Sequence, residues 1–355
     1  MPGVSSVLGL FGLLGALFAG VVADSVLRMG EDDGDDATTK DTLTDASEQG
    51  ETSKSLSLLF DLETNAVPPN EFLEGDGMPL SSDTLQPIDL AQTLRGSLVA
   101  DNLNGAGGDD QIYGGAGDDL LGGRGGADWL AGDAGHDHLR GGEGADSLFG
   151  GVGADVLHGE DGTDTLVGGD GRDKLFGHEG DDDLQGGAGD DALQGGNGFD
   201  RLSGGDGAEE MNGGYGRDLL GGGRGFDVLD GGDGSDTIWG QMPDEADTDA
   251  DFLYGGTGDD LLMLGQGDFG NGGDGADVFG LLDVIPGDPP MQITDFDPMA
   301  DALVVLYDPA LHPDPQLTVK AGENGAMTLL LDGVALASLT NGALIDLQAI
   351  VLRAV

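Results

Sequence analysis

Carboxylate side chains recur at a fixed interval in this sequence, and they are the residues whose type and spacing could do chemistry. From residue 96 to residue 239, an acidic residue occupies the same place in sixteen consecutive units of nine residues. It is Asp in fifteen of them and Glu209 in the other. Oxygen ligands suit a hard cation that accepts about six to eight of them, and calcium fits far better than zinc. The chain has no Cys, which excludes thiolate metal sites and disulfides.

The nine-residue unit that positions each carboxylate reads G-G-x-G-x-D-x-L-x, as in GGAGDDALQ at 186–194. Glycines at positions one, two and four are predicted to take positive φ, so that a short loop curls with its carbonyl oxygens on one side. The last three residues predict a short strand. Its large aliphatic residue at position eight is Leu except at Ile112, Met211 and Ile238, and strand periodicity turns this residue inward.

Departures from the unit predict local defects. Among the residues that stand where the second glycine is preferred, we expect strain in the loops of Arg124, Asp133, Glu160 and His178. Glu209 is longer than Asp, so it should fit poorly between stacked loops and weaken one site.

A Gly- and Asp-rich tract is often disordered, and this alternative explains the composition but not the order. Disorder gives no reason for a large apolar residue at one phase sixteen times. A helix is disfavoured as well, because each of its glycines would cost about 1 kcal/mol relative to Ala. The pattern therefore favours a stacked solenoid of short strands.

The unit resembles the calcium-binding nonapeptide of the repeats-in-toxin (RTX) family, the hemolysin-type calcium-binding repeats. The resemblance implies an all-β fold, a right-handed parallel β-roll in which two nonapeptides form one coil. It also implies calcium between each loop and the loop two repeats further on. With eight loops on each edge, the ceiling is roughly fourteen calcium ions.

The resemblance assigns metal ligands to the acidic residue of every unit. One edge of the roll would carry Asp101, Asp119, Asp137, Asp155, Asp173, Asp191, Glu209 and Asp227. The other edge would carry Asp110, Asp128, Asp146, Asp164, Asp182, Asp200, Asp218 and Asp236.

Net charge limits the partners of the chain. The formal charge is −55 with 71 glycines in 355 residues, which is unlike an ordinary globular enzyme. Such a chain repels nucleic acid and anionic lipid and attracts cations. Calcium ions are therefore the expected partners.

The sequence before the repeats divides into two segments. Residues 1–23 are apolar, and the run at 4–23 is long enough to span a bilayer. No Lys or Arg precedes it, so a membrane anchor, a cleaved signal and a helix that docks on the protein all stay open. Residues 24–92 are acidic and aromatic-poor and are predicted to be a disordered linker.

The repeats decay after the main roll, which is predicted to span residues 93–239. In the interrupted end at 240–280, six extra residues break the phase. The unit at 246–254 recovers only the Asp251 and Leu253 positions of the repeat. Asp260 and Asp277 return as metal ligands, whereas the unit at 264–271 is one residue short and has Phe269 where Asp is expected.

Residues 281–355 predict β-strands and a hairpin at Asp332-Gly333. They resemble the C-terminal β cap that follows such arrays. In the family, an uncleaved C-terminal segment addresses the protein to the type I secretion machinery, and the apolar tail here is compatible with that role.

Two classes of function remain, with a third that depends on residues 4–23. The first is a secreted, non-enzymatic calcium-binding protein for adhesion or structure at the bacterial surface, with an unknown surface or matrix partner. The second is an enzyme or toxin that uses the repeats for secretion and folding, although HExxH, GxSxG and Walker-type motifs are absent. The third is a membrane-anchored calcium buffer at the cell surface.

Overall fold

A computed structural model describes residues 90–241, 249–282, 286–322, 325–341 and 345–355. These residues form 27 β-strands and no helix. None of them therefore belongs to a helix with the length and apolarity that a membrane crossing needs. The expectations for the apolar segment at 1–23 and for most of the linker fall outside the described residues.

The strands belong to two sheets, and successive strands of the repeat region alternate between them. Sheet A has 13 strands, in spatial order β1 (Thr93–Arg95), β3 (Gln111–Ala116), β5 (Trp129–Ala134), β7 (Ser147–Gly153), β9 (Thr165–Gly171), β11 (Asp183–Ala188), β13 (Arg201–Asp206), β15 (Leu219–Arg224), β17 (Thr237–Trp239), β19 (Leu261–Leu264), β21 (Val278–Leu281), β23 (Ala302–Tyr307) and β27 (Val351–Ala354).

Sheet B has 14 strands, in spatial order β2 (Asn102–Asn104), β4 (Leu120–Gly125), β6 (His138–Glu143), β8 (Val156–Asp161), β10 (Lys174–Glu179), β12 (Ala192–Gly198), β14 (Glu210–Gly216), β16 (Val228–Gly234), β18 (Phe252–Thr257), β20 (Phe269–Asp274), β22 (Met291–Ile293), β26 (Val334–Leu339), β25 (Met327–Leu331) and β24 (Leu317–Ala321).

Strand pairing follows the doubled repeat. Leu175 on β10 pairs with Leu157 on β8 and with Leu193 on β12, so parallel neighbours are 18 residues apart. One turn of the chain therefore contains two nonapeptides, one strand in each sheet. The predicted all-β parallel solenoid is confirmed for the described residues, and it has about ten turns.

The core is a double column of aliphatic side chains between the sheets. Every position-eight residue from Ile112 to Ile238 is at most 2% exposed, including Met211, and the column continues into the C-terminal strands. Because each strand buries one large side chain per turn, the sheets rely on stacking between turns for much of their packing.

Irregular spacing late in the array leaves the strand registers intact. Leu229 pairs with Leu253, 24 residues on, so β16 and β18 keep their register across the longer interval. Phe252 then pairs with Phe269, only 17 residues on. This unit is one residue shorter than the others, and the shortening lies in the loop before Asp268. Gly265 N–H donates to Asp268 Oδ2 three residues later, whereas the equivalent hydrogen bond of a regular unit spans four residues. The structure thus places Asp268, and not Phe269, at the acidic position of this unit.

Strands after residue 281 extend both sheets. β22 and β23 continue the parallel ladders, and β24, β25 and β26 form an antiparallel meander at the end of sheet B. The predicted hairpin is confirmed: Asp332 and Gly333 have φ of 50° and 87°, as its tight turn requires. The apolar C-terminal tail includes β27, which lies on the edge of sheet A beside β23.

Candidate metal centre

Each acidic residue of the array belongs to a carboxylate ladder that runs along one edge of the solenoid. The main-chain N–H of Asp155 donates to Asp173 Oδ1 at 2.8 Å, and the N–H of Asp173 donates to Asp191 Oδ1 at 2.8 Å. A carboxylate therefore reaches back to the loop one turn earlier, 18 residues before it in sequence. Hydrogen bonding across the turns fixes the carboxylates in two straight rows.

The sequence assigned every residue of the array to the edge where the structure places it. One ladder contains Asp101, Asp119, Asp137, Asp155, Asp173, Asp191, Glu209 and Asp227. The other contains Asp110, Asp128, Asp146, Asp164, Asp182, Asp200, Asp218, Asp236, Asp260 and Asp277. All are at most 3% exposed except Asp101, which is half-buried.

The predicted set of ligands left out three further members. Asp251 and Asp268 continue the first ladder, and Asp301 accepts the N–H of Asp277 at 3.1 Å to extend the second. Their separations from the preceding member are 24, 17 and 24 residues, which do not fit the repeat. The sequence places Asp251 at the acidic position of the unit at 246–254, two residues before the buried Leu253, but Asp251 was not included among the predicted ligands.

The second oxygen of most ladder carboxylates is buried and accepts no hydrogen bond. Within the described residues this holds for Oδ2 of Asp119, Asp128, Asp137, Asp146, Asp155, Asp164, Asp173, Asp182, Asp191, Asp200, Asp218, Asp236 and Asp260. An ionised oxygen buried without a partner is costly, so each of these atoms calls for a cation or a proton.

Main-chain carbonyl oxygens lie beside these orphaned atoms. A Cβ added to Gly150, at position one, would lie 2.6 Å from Asp155 Oδ2 and 2.6 Å from the carbonyl oxygen of Gly168 in the next turn. Glycine is required here because both oxygens approach its Cα closely. The expected positive φ at position one is wrong, since no position-one glycine of the array has it.

Positions two and four do require positive φ. Gly151 and Gly153 have φ of 110° and 149°, and a Cβ on either would overlap a carbonyl oxygen of the turn before it, that of Asp133 or Gly135. Carbonyl oxygens at both positions therefore point along the solenoid axis into the space between loops. The strain predicted for four residues at position two is confirmed, because each has a positive φ, between 71° and 87°. They are the non-glycine residues with positive φ in the described part of the repeats: Arg124, Asp133, Glu160 and His178.

Burial dominates the electrostatics of the ladders. It raises the pKa of Asp182 to about 7, against the opposing effect of the Asp164 N–H, and the charge of Asp164 raises it further. Burial likewise raises the pKa of Asp200 and Asp260 to about 7. It raises to about 6 the pKa of Asp128, Asp146, Asp155, Asp164, Asp191, Asp218 and Asp236. Without a cation, burial makes ionisation of these carboxyl groups less favourable than that of exposed ones.

Glu209 disturbs its ladder. Its own N–H donates to Asp227 Oδ1 at 2.9 Å, but its longer side chain does not accept the N–H of Asp191. The carboxyl group instead lies against that of Asp227, and burial together with this contact strongly raises the pKa of Glu209.

The donor set fits calcium. Among the described residues, no three His, Cys, Asp or Glu side chains converge on one point, so side chains alone would not complete a metal site. Buried carboxylate oxygens beside inward-pointing carbonyls give an oxygen-only environment, which suits calcium and not zinc. Two edges repeat this environment once per turn.

Comparison with known proteins agrees with this geometry. The family described as RTX calcium-binding nonapeptide repeat (4 copies) matches residues 95–130, 122–157, 158–193, 185–220, 212–241 and 245–268. The matches include the irregular units that contain Asp251 and Asp268. No curated protein matches the chain.

Proposed function

We propose, on the premise that residues 95–268 are RTX calcium-binding nonapeptide repeats, that this chain binds calcium along both carboxylate ladders and that, at neutral pH, it folds only when it does so. The observation that carries the proposal is the row of buried carboxylate oxygens that lack a hydrogen-bond donor. Hydration satisfies these oxygens in the unfolded chain, so the folded roll needs a cation to replace the lost water.

The acidic residues predicted as metal ligands would hold the ions, and Asp251 and Asp268 would join them. A carboxylate in the middle of a ladder would supply oxygen to the gaps on both sides of its loop, and one at the start of a ladder to a single gap. Carbonyls of positions one, two and four would supply the rest. Calcium accepts such mixed, flexible oxygen sets, whereas magnesium demands a near-ideal octahedron. The proposed number of ions is roughly fourteen for the regular array.

Calcium binding and folding would then form a single equilibrium. In the metal-free roll, like charges lie one turn apart along each edge, roughly 5 Å by strand spacing. Their repulsion and desolvation oppose a fold that buries mainly one aliphatic residue per strand. Millimolar extracellular calcium matches the affinity of about 10⁻⁴ to 10⁻³ M typical of extracellular modules, and the chain would stay unfolded where calcium is scarce.

The biological role that fits best is a secreted or cell-surface bacterial protein of structural or adhesive type. An RTX β-roll is a structural calcium-binding fold and not an enzyme fold. The strands after residue 281 would cap the C-terminal end of a right-handed roll, and the tail would address the type I secretion machinery. The competing roles are a secretion module of an enzyme or toxin and a membrane-anchored buffer.

Circular dichroism of the full chain tests the coupling of calcium to folding. In excess EGTA we expect a largely unfolded far-UV spectrum, and titration to a few millimolar calcium should restore the β signal. Magnesium at the same concentration is the matched control and should restore little of it. A full β spectrum in EGTA would contradict the proposal.

Fractionation of the native host separates a secreted protein from a membrane-anchored buffer. N-terminal sequencing of the mature chain from the medium, the cell surface and the membrane would distinguish an intact export product from a cleaved or anchored one. An intact chain in the medium supports secretion through the C-terminal tail. An intact chain in the membrane fraction supports the buffer instead.

A further inference from the structure

A groove of about 710 Å³ runs along one edge of sheet B, across β8, β10, β12, β14 and β16. Glycines contribute bare main chain to its floor: the pair Gly195 and Gly196, then Gly214 and Gly232 on the next two strands. Side chains at position nine, including Gln194 and Asn212, line one side. Side chains at position three, including Tyr215, line the other.

The groove ends where glycine is replaced at position two. Glu160 and His178 are paired neighbours with φ of 80° and 82°, and their side chains stand on the floor. His178 Nε2 lies 2.9 Å from His158 Nδ1, and the His158 ring stacks on Phe176 at 4.8 Å. This packed aromatic cluster closes one end of the groove at the cost of backbone strain at two positions.

The walls combine amide groups with one exposed ring. The Asn197 amide donates to Glu179 Oε1 at 2.6 Å, whereas those of Gln194 and Asn212 make no hydrogen bond to the part of the chain that the structure describes. The Tyr215 side chain is 64% exposed. Amide groups donate and accept, as sugar hydroxyls do, and an aromatic face packs against the C–H face of a pyranose ring.

We infer that this groove binds a linear oligosaccharide without anionic groups, a function that goes beyond calcium binding. A position-three side chain lines the groove on each of its five strands, about 4.8 Å apart, so the lining matches a polymer that lies along the solenoid axis. The amides of Gln194, Asn197 and Asn212 lie on two adjacent strands in the middle of the groove. Asp161, Glu179 and Asp233 at the rim repel anionic polymers. Acidic residues are common on the whole surface of this chain, so the acidic residues near the groove do not make it a specific site for a basic peptide. Its distinguishing groups are the amides and the tyrosine.

Isothermal titration calorimetry of the calcium-loaded full chain tests the inference. The probes are cellohexaose, N-acetylchitohexaose and mannohexaose, with guluronate hexasaccharide as the anionic control and hexalysine as the peptide control. We expect at least one neutral hexasaccharide to bind in preference to both controls. Tyr215→Ala should weaken that binding about three- to tenfold through the lost ring contact, and Asn212→Ala about two- to tenfold through the lost hydrogen bond.

Tyr254→Ala is the matched variant, because Tyr254 is an exposed tyrosine of sheet B outside the groove, and it should leave binding unchanged. Far-UV spectra recorded in calcium show whether each variant folds, so that weaker sugar binding is not confused with a failure to fold or to bind calcium. Three outcomes overturn the inference: no neutral hexasaccharide binds the folded chain, guluronate or hexalysine binds in preference, or Tyr215→Ala and Asn212→Ala both bind like the unsubstituted chain.

Discussion

Removing one carboxylate from the middle of a ladder should cost far more stability than removing one at its start. Asp173 is fully buried, and its Oδ1 accepts the N–H of Asp155 while its own N–H donates to Asp191. Asp101 is half-buried, and its Oδ2 accepts hydrogen bonds from Ser97 in its own loop, from the N–H at 2.7 Å and from the hydroxyl at 2.9 Å. We therefore compare Asp173→Ala with Asp101→Ala.

The expected difference follows from what each side chain touches. At free calcium tenfold above the dissociation constant, one site adds about 1.4 kcal/mol to the free energy of unfolding. Asp173 faces two gaps, worth about 2.8 kcal/mol, and its loss orphans the buried N–H of Asp155 for about 1–3 kcal/mol more. Asp101 faces one regular gap, and water can replace its contacts with Ser97. We expect losses of about 4–6 kcal/mol and about 1–2 kcal/mol respectively.

Urea unfolding at fixed free calcium measures these losses, with far-UV dichroism and tryptophan fluorescence recorded together. Trp129 and Trp239 report early and late turns, so separated transitions would reveal loss of cooperativity along the solenoid. Asp170→Ala is the matched control, because Asp170 is an exposed residue of the same repeat that lies outside the ladder. It should change stability by less than about 0.5 kcal/mol.

Equal losses for Asp173→Ala and Asp101→Ala would refute the reasoning, because they would mean that each loop binds its calcium independently. A large loss for Asp170→Ala would also count against it. General reduction of negative charge, and not ladder geometry, would then control stability.

Leu175→Ala should destabilise the calcium-loaded chain by about 2–5 kcal/mol in urea, because it opens a cavity in a fully buried column. Glu209→Asp should raise stability by about 1 kcal/mol and lower the calcium midpoint followed by dichroism, because the shorter side chain can accept the N–H of Asp191; an unchanged midpoint would contradict this. Acidification in EGTA from pH 8 to about 5 should increase the β signal, because the raised pKa values, such as about 7 for Asp182 and about 6 for Asp155, make the metal-free fold gain stability as these groups take up protons. With calcium present, the same acidification should raise the calcium midpoint, since protons compete for the ligands; a pH-independent midpoint would be evidence against the ladder carboxylates as ligands.

The two ladders and the apolar column were predictable because they depend on phase alone. A residue at position eight points inward wherever the strand register holds, and the acidic residue two positions earlier lies at the loop on every turn. Leu175 and Asp173 could therefore be placed from their spacing. The direction of the hydrogen bonds, from each N–H to the carboxylate of the next turn, is a matter of side-chain geometry that a repeat pattern does not contain.

The end of the array was less predictable because loops and strands tolerate different changes. An insertion or deletion in a loop changes the spacing while the strand pairing is conserved, so counting by nine misses Asp268 and Asp301. Asp251 was recognised at its position in the repeat but not as a ligand. Gly270 takes the inward position in the short unit, and the side chain of Leu264 occupies the space there: a Cβ on Gly270 would lie 2.9 Å from Leu264 Cδ1. This compensation between residues six apart has no signature in a single sequence.

The direction of the carboxylate ladders makes the two ends of the solenoid chemically unequal. Each turn is completed by the turn that follows it in sequence, since the later carboxylate accepts the earlier N–H, except at Asp191, whose N–H is not accepted by Glu209. A chain shortened from its C-terminal side would leave a buried donor at the new end, whereas one shortened from its N-terminal side would leave a carboxylate oxygen that water can solvate. Asp301, which also accepts the N–H of Asp297, terminates one row without such an orphan. The array thus has a polarity. Its C-terminal end needs a terminating residue such as Asp301, whereas turns can be added or removed at its N-terminal end.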